Sequence, residues 1–511
     1  MKTHAINGIF TRSAPQTWKE VGPWMRNAED RVERLDDILR VLGDLSESAN
    51  KLKNRFKERM IACSSRYGFA RLPDEIVMEI LKITWDSRKP RDHQPNRQLE
   101  DLSLVCQRFR RIINSHAQFW TSFDNAWDPS AIVTALKRSK TLKLELSLYS
   151  EATGRRPITE CLKHTMGLQF ERLRSIHIDF ASTYKKSAVD SREAMEDALE
   201  ILGSANLPAL EHFHMGLPTF ADFYPRFSHS EMDVFYIYRT WNAPSLKHLC
   251  LDGLIPVPHE SLKLRQLDLF LSDFSTYHGT EGQLHELLDF LSSQPGLQHL
   301  NLILGAMKTE ESDRRRKVTV HLPELTSLSL DGSSRNCYPV KLLSALSTPA
   351  VEFMDIQISL YSSNSTLEAA FHGTYPSMKR LHLCVSGWPR VPLALFKMIF
   401  TKCPRLEVLQ LWTLHPVDGE LPTLPSIIPP PLRVMELISC EECSMEALIQ
   451  ALEFLKQGPH WEAFESLVIE DCPAIESHIE DLYSVVPASK VTLRRRAPDE
   501  VDDDDDDDDD V

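Results

Sequence analysis

The sequence predicts an α/β solenoid preceded by a small all-α segment and a helix, and followed by a disordered acidic tail. Three observations carry this expectation. The chain has 511 residues, more than one compact core usually accommodates. From Leu173 onward it returns eleven times to an L-x-x-L-x-L pattern with apolar substitutes. In eight of the eleven a proline stands two residues ahead of the first apolar position.

The instances begin at Leu173, Leu210, Leu246, Leu264, Leu297, Leu325, Val351, Met378, Leu406, Leu432 and Phe464. Between Leu297 and Leu432 they recur every 26–28 residues. The L-x-L end reads as a strand whose alternate residues face inward, and the proline stops a preceding helix from running on. Helical stretches are expected between strands at Met195–Leu202, Leu284–Leu291, Leu393–Phe400 and Met445–Leu455. Residues 142–148 read as a first strand. The wider early spacing predicts insertions at 181–195 and 218–241, the second rich in aromatics.

Strand then helix at this period resembles a leucine-rich-repeat array over residues 140–495. It is similar to the longer, cysteine-containing repeats common in F-box proteins. Cys440 and Cys472 fall where that family hydrogen-bonds the turn backbone; the other repeats put Ser, Gly, Ala, Pro or Leu there. A non-repeat α/β domain is the alternative.

Residues 71–120 hold two short amphipathic helices, too few to bury a core of their own. In the first, Pro73 suits an initial helical turn, and Asp74 and Glu75 put negative charge at the helix's positive end. Ile76, Val77, Ile80 and Leu81 form its apolar stripe. In the second, Leu102, Val105, Cys106, Phe109, Ile112 and Ile113 form the stripe, with Arg108, Arg110 and Arg111 opposite. Leu72-Pro73-x-Glu75-Ile76 together with Leu102-Ser103-Leu104-Val105-Cys106-x-x-Phe109-Arg110 resembles an F-box, placed at 70–121. Phe119-Trp120 sits where many mushroom-type fungal F-box proteins carry a closing aromatic pair. The link 84–98 is longer and more polar than in the compact motif.

The resemblance implies that Leu72, Pro73, Glu75, Ile76, Ile80, Leu102, Leu104, Val105, Cys106 and Phe109 dock a Skp-type adaptor of a cullin–RING ligase. The repeats would then hold a protein substrate. The chain is expected to act as a non-catalytic monomer within that complex. The alternatives are a repeat scaffold with no ligase role and a chromatin or nuclear-transport regulator acting through its acidic tail.

Upstream, residues 29–62 read as a helix. Leu35, Leu39, Leu42, Ala49, Phe56 and Met60 form a heptad seam interrupted by Ser46 and Lys53. The two interruptions are expected to disfavour a self-associating coil, so packing back on the F-box is the expected use of this seam. Residues 1–28 show no periodicity and are expected to be flexible.

The formal charge of −15 comes largely from 499–511, which hold 11 acidic residues and leave about −4 for the rest. Such a body offers no electrostatic footprint for nucleic acid, and the like-charged tail at 497–511 cannot bury anything. Arg314–Lys317 reads as a solvated turn, with a nuclear import signal as the alternative, and Arg494–Arg496 stands just before the acidic tail, a weak partner for it. No window approaches the ~18–20 apolar residues of a membrane span, and the first residues lack a secretory core. Ten scattered cysteines suit a reducing compartment, cytoplasmic or nuclear. Phosphate-loop, dinucleotide and nucleophile-elbow motifs are missing. His285-Glu286 lacks the second histidine of a zinc protease, and Cys440-x-x-Cys443 is a lone pair. No cofactor or metal is expected.

Overall fold

The computed structural model describes residues 18–67, 71–86, 95–149, 157–180, 197–203, 205–216, 242–252, 255–256, 258–259, 261–271, 280–305, 319–332, 338–359, 371, 373–386, 395–413, 428–440 and 443–494. The expected flexible start up to residue 17, both insertions, the Arg314–Lys317 run, much of the link 84–98 and the acidic tail lie outside them. The chain divides into two compact units, residues 1–89 and 90–511.

The first unit contains α1 (Trp18–Tyr67) and α2 (Asp74–Asp86). Helix α1 is longer than the expected 29–62, and residues 18–28 are helical where flexibility was expected. No proline interrupts the sequence between Met25 and Tyr67, so helix propagation has no internal stop there. All described side chains over 31–59 are exposed. Within this unit the seam is not covered by α2: Leu35, Leu39, Leu42 and Phe56 are 49, 63, 55 and 71 % exposed.

The second unit starts with α3 (Pro95–Val105) and α4 (Gln107–Ser115). The single second helix expected from the sequence is two helices, because Cys106 is extended and caps α4. Its Sγ accepts the Phe109 N–H at 3.4 Å and its carbonyl accepts the Arg110 N–H at 3.1 Å. Phe119 is buried, and Trp120 Nε1 donates to the Ile113 carbonyl at 2.9 Å beneath the Arg138 guanidinium. Asp128 and Pro129 then start α5 (Pro129–Arg138), the aspartate accepting the Ala131 N–H at 2.9 Å.

Among the described residues fourteen strands follow in one sheet, every pair parallel and in chain order, while Val320–His321 and Leu346–Ser347 form a separate parallel pair. They are β1 (Ser122–Asp124), β2 (Leu144–Tyr149), β3 (Leu173–Asp179), β4 (His212–Gly216), β5 (His248–Asp252), β6 (Gln266–Leu271), β7 (His299–Leu304), β8 (Ser327–Gly332), β9 (Phe353–Ser359), β10 (Arg380–Ser386), β11 (Val408–Thr413), β12 (Val434–Ile438), β13 (Ser466–Glu470) and β14 (Val491–Arg494). All eleven motif segments are strands, β3–β13, and the expected first strand is β2. Strands β1 and β14 extend the sheet beyond the expectation. The arrangement is compatible with a solenoid.

The register explains the motif. Leu328, Met354, Leu381 and Leu409 stand side by side on β8–β11 and are all essentially buried. Leu330, Ile356, Leu383 and Leu411 form the next buried row. Helices between strands add their apolar stripes to this core: α6 (Ile158–Gln169), residues 197–203, α7 (Thr280–Ser292), α8 (Tyr338–Ala345), α9 (Leu395–Lys402) and α10 (Met445–Lys456). Leu287 and Leu291 of α7 and Leu448 and Leu452 of α10 are fully covered. Among the described residues no helix is long and apolar enough to cross a membrane.

The recurrent proline has a more specific place than a helix stop. Seven of the eight stand at the second position of a four-residue turn, closed by the N–H of the leading apolar residue. Leu210 N reaches the Leu207 carbonyl at 3.1 Å, Leu297 N the Gln294 carbonyl at 3.2 Å and Leu406 N the Cys403 carbonyl at 3.2 Å. Proline's fixed φ suits that position. The residue before it, Leu207, Gln294, Thr348 or Cys403, is buried.

Where the sequence places ladder cysteines, the structure has a bonded pair. The backbone turns through positive φ at Ser439 and Asp471, then Cys440 and Cys472 fold inward. Cys472 Sγ donates to the Leu437 carbonyl of the neighbouring strand at 3.5 Å and accepts the Cys440 N–H at 3.3 Å.

Candidate functional site

Three surfaces stand out: the exposed edge of α2 in the first unit, the edge of α3 and α4 in the second, and the open face of the sheet. Helix α2 splits its expected stripe between two sides. Val77, Leu81 and Trp85, spaced four apart, are buried, while Ile76 and Ile83, spaced seven apart, are 47 and 66 % exposed. Pro73 stands just before the helix, exposed, and its carbonyl accepts the Ile76 and Val77 N–H groups at 3.2 and 3.1 Å. Leu72 and Ile80 are half-buried and Glu75 is exposed.

In α3 and α4, Phe109 turns inward with Ile112 and Ile113. Leu102 is half-buried. Leu104 and Val105 are 68 and 64 % exposed, and Cys106 beside them is exposed too. The break at Cys106 thus gathers Leu104, Val105 and the thiol at one corner, and removes Phe109 from it. Ile83 was not among the expected docking residues; its spacing of seven from Ile76 is the signal that could have found it.

The open face of the sheet carries the residues that alternate with the buried rows. Across β2–β5 it is dominated by rings. His177 stacks on His214 with centroids 4.1 Å apart and planes 10° from parallel, and Tyr149 lies 5.5 Å from His177. His214 Nδ1 is 2.8 Å from the Cys250 Sγ. Burial first and His177 second hold the His214 imidazole down at about 4, so it is neutral at physiological pH. Burial pushes the Cys250 thiol up to about 12, so it stays protonated and is the natural donor to that ring.

On the adjoining outward row His248 Nε2 sits 2.6 Å from Asp268 Oδ2, which also accepts from Gln266 Nε2 at 3.0 Å. Toward the other end His382 Nδ1 lies 2.7 Å from Asp355 Oδ1, and that carboxylate raises the imidazole above its ordinary value. At the strand-entry rim Glu211 accepts from Lys143 and Arg174, with Lys247 at 3.9 Å. The Lys143 hydrogen bond is the chief cause holding its carboxyl down at about 2.

His212 and His214 both lie on the open face, and their partners come from neighbouring strands: His248 for His212, and His177 and Cys250 for His214. Fixed rings, paired carboxylates and imidazoles make a surface suited to hydrogen bonding and stacking with another chain. Among the described residues no group of three His, Cys, Asp or Glu side chains is placed to hold a metal ion.

Residues 69–126 match a family model described as F-box-like. That match supports an F-box protein, and with it, in general terms, a ubiquitin-ligase adaptor role, since domains of this kind typically bind Skp-type adaptors. No curated protein matches the chain.

Proposed function

We propose that this chain is the substrate receptor of an SCF-type cullin–RING ubiquitin ligase. In this reading residues 70–121 dock the Skp-type adaptor. The sheet domain is a leucine-rich-repeat array of the kind found in mushroom-type fungal F-box proteins, and its open face holds a protein substrate. The chain performs no chemistry itself; it supplies proximity between substrate and the ubiquitin-transferring subunits, in the cytoplasm or nucleus.

The observation that carries the reading is the F-box-like match at 69–126. It is supported by the exposed apolar side chains within that span, Ile76, Ile83, Leu104 and Val105, which have the character of an interface rather than of a solvated surface. The docking set is accordingly Leu72, Pro73, Glu75, Ile76, Ile80, Leu102, Leu104, Val105 and Cys106, with Phe109 holding the fold beneath.

The test is co-precipitation with a recombinant Skp-type adaptor. Leu72→Ala with Pro73→Ala should abolish capture, and so should Leu104→Lys, while thermal unfolding of the sheet domain stays unchanged. Undiminished capture by both variants would remove the ligase role and leave a repeat scaffold.

A further inference from the structure

Helix α1 bears an apolar seam that is exposed throughout its described part. With Trp18 at position a of a heptad, the a and d positions run without a phase change to Tyr67, seven heptads on. Thirteen of these fifteen positions are apolar, and the exceptions are Ser46 and Lys53. Among the described side chains of the seam, Val32, Leu39 and Phe56 are 58, 63 and 71 % exposed.

The period identifies the kind of partner. On a straight helix a strict seven-residue repeat drifts by roughly 20° per heptad, so over seven heptads the seam winds through roughly 140°. A compact globular surface would lose contact with such a seam; another helix supercoiled around it keeps contact along the whole length. The charges agree with this division of faces. The ion pairs Asp37–Arg40 at 3.0 Å and Glu47–Lys51 at 2.6 Å occupy b and f positions, on the side away from the seam. Ile38, Leu45 and Leu52 fall at g and widen the apolar stripe on one flank.

We propose that α1 binds α1 of a second copy of this chain as a parallel, in-register coiled coil. Register follows from the two polar positions. Aligned in register, Ser46 meets Ser46 and Lys53 meets Lys53, and two layers of the seam are polar. A slip of one heptad spreads these residues over three layers, opposing Leu39 to Ser46, Ser46 to Lys53 and Lys53 to Met60. Polar residues at a are the usual means of fixing register in this way. Orientation follows from the flanks: in the parallel arrangement Arg31 at g faces Asp36 at e of the other copy, twice by symmetry. The expected single chain per complex becomes two, and the receptor would present two open faces at once.

The inference does not rest on the ligase reading and is tested on the full chain alone, with no adaptor present. Sedimentation equilibrium across a wide dilution series should give twice the single-chain mass. Leu35→Lys with Leu42→Lys should give the single-chain mass with an unchanged unfolding transition for the sheet domain, since neither residue is covered within one chain. Ser46→Cys in a chain that also carries Cys63→Ser and Cys106→Ser, treated with a thiol oxidant, should add a covalent dimer on a non-reducing gel that the same chain without Ser46→Cys does not form, since Cys63 stands at a d position of the seam and Cys106 is exposed.

A single-chain mass for the parent at every concentration would overturn the proposal, as would a dimer that survives the double lysine substitution. A dimer that fails to cross-link through Ser46→Cys would overturn the in-register arrangement.

Discussion

Acid should weaken the sheet domain through one histidine, and the loss can be worked from its surroundings. His214 titrates at about 4 in the fold, lowered by burial and by the stacked His177, with Asp179 and Asp268 pulling weakly the other way and His248 adding to the fall. In the unfolded chain it titrates near 6.5. Below that value the unfolded chain binds a proton that the folded chain refuses, so stability drops as pH falls from 6.5 to about 4 and levels off beneath. The full loss is roughly 3 kcal/mol, of which about 2 kcal/mol is lost between neutrality and about pH 5. His214→Gln keeps a polar side chain on the face but removes the titration. Urea unfolding of parent and variant at pH 7, 6 and 5 should show the parent losing more stability, by about 2 kcal/mol at the acid end. His382 works in the opposite sense. Its folded pKa is raised by Asp355, so its contribution is full at low pH and lost as pH rises through that value. The comparison of variant with parent cancels it. Equal losses in the two proteins would show that His214 is protonated in the fold, and the account of the ring stack would be wrong.

Three further substitutions probe the sheet. Leu381→Ala removes a side chain from the middle of a buried row and should cost ~2–5 kcal/mol in denaturant unfolding. Gly332→Ala should destabilise by ~1–3 kcal/mol, because the added methyl would meet Pro339 Cγ at 2.1 Å, and chemical denaturation at neutral pH reads it. Cys472→Ala leaves the buried Cys440 N–H without its acceptor and should cost ~1–3 kcal/mol, whereas Cys472→Ser, measured in the same melt, should recover part of it.

The strands were legible because each carries its own evidence. Alternate burial leaves the L-x-L signature, and the turn ahead of it leaves a proline. The buried residue before that proline was not legible, because Leu207, Gln294, Thr348 and Cys403 share a position and no chemistry. Strand β1 is only three residues long, and β14 is mostly exposed, so neither leaves a leading motif to read. Cys106 looked like a stripe residue because it continues the helical spacing; only the backbone reveals that the spacing restarts there. For the docking edge, the sequence marked the apolar residues of α2 but could not divide Val77 and Leu81 from Ile76, since all four stripe positions are equally apolar. The ring stack was legible from the motif alignment and was overlooked: His177, His214 and Cys250 each occupy the fifth position of the motifs that start at Leu173, Leu210 and Leu246, and the register pairs those same three residues.

The strand order has a bearing on how the molecule is made. Within the fourteen-stranded sheet each strand pairs only with the members of that sheet made before and after it, and the short pair Val320–His321 with Leu346–Ser347 forms apart. A growing polypeptide can therefore add to the sheet at one advancing edge, with no need to wait for a distant segment. Between β7 and β12 a new strand becomes available every 26–28 residues, which at ribosomal speed is roughly one to five seconds. At every such moment the nascent sheet has a complete row of buried apolar side chains behind it and one bare edge in front. A pause in translation would hold that edge open to any other strand in the cell, and the lengths of chain most exposed to this are those ending between one motif and the next.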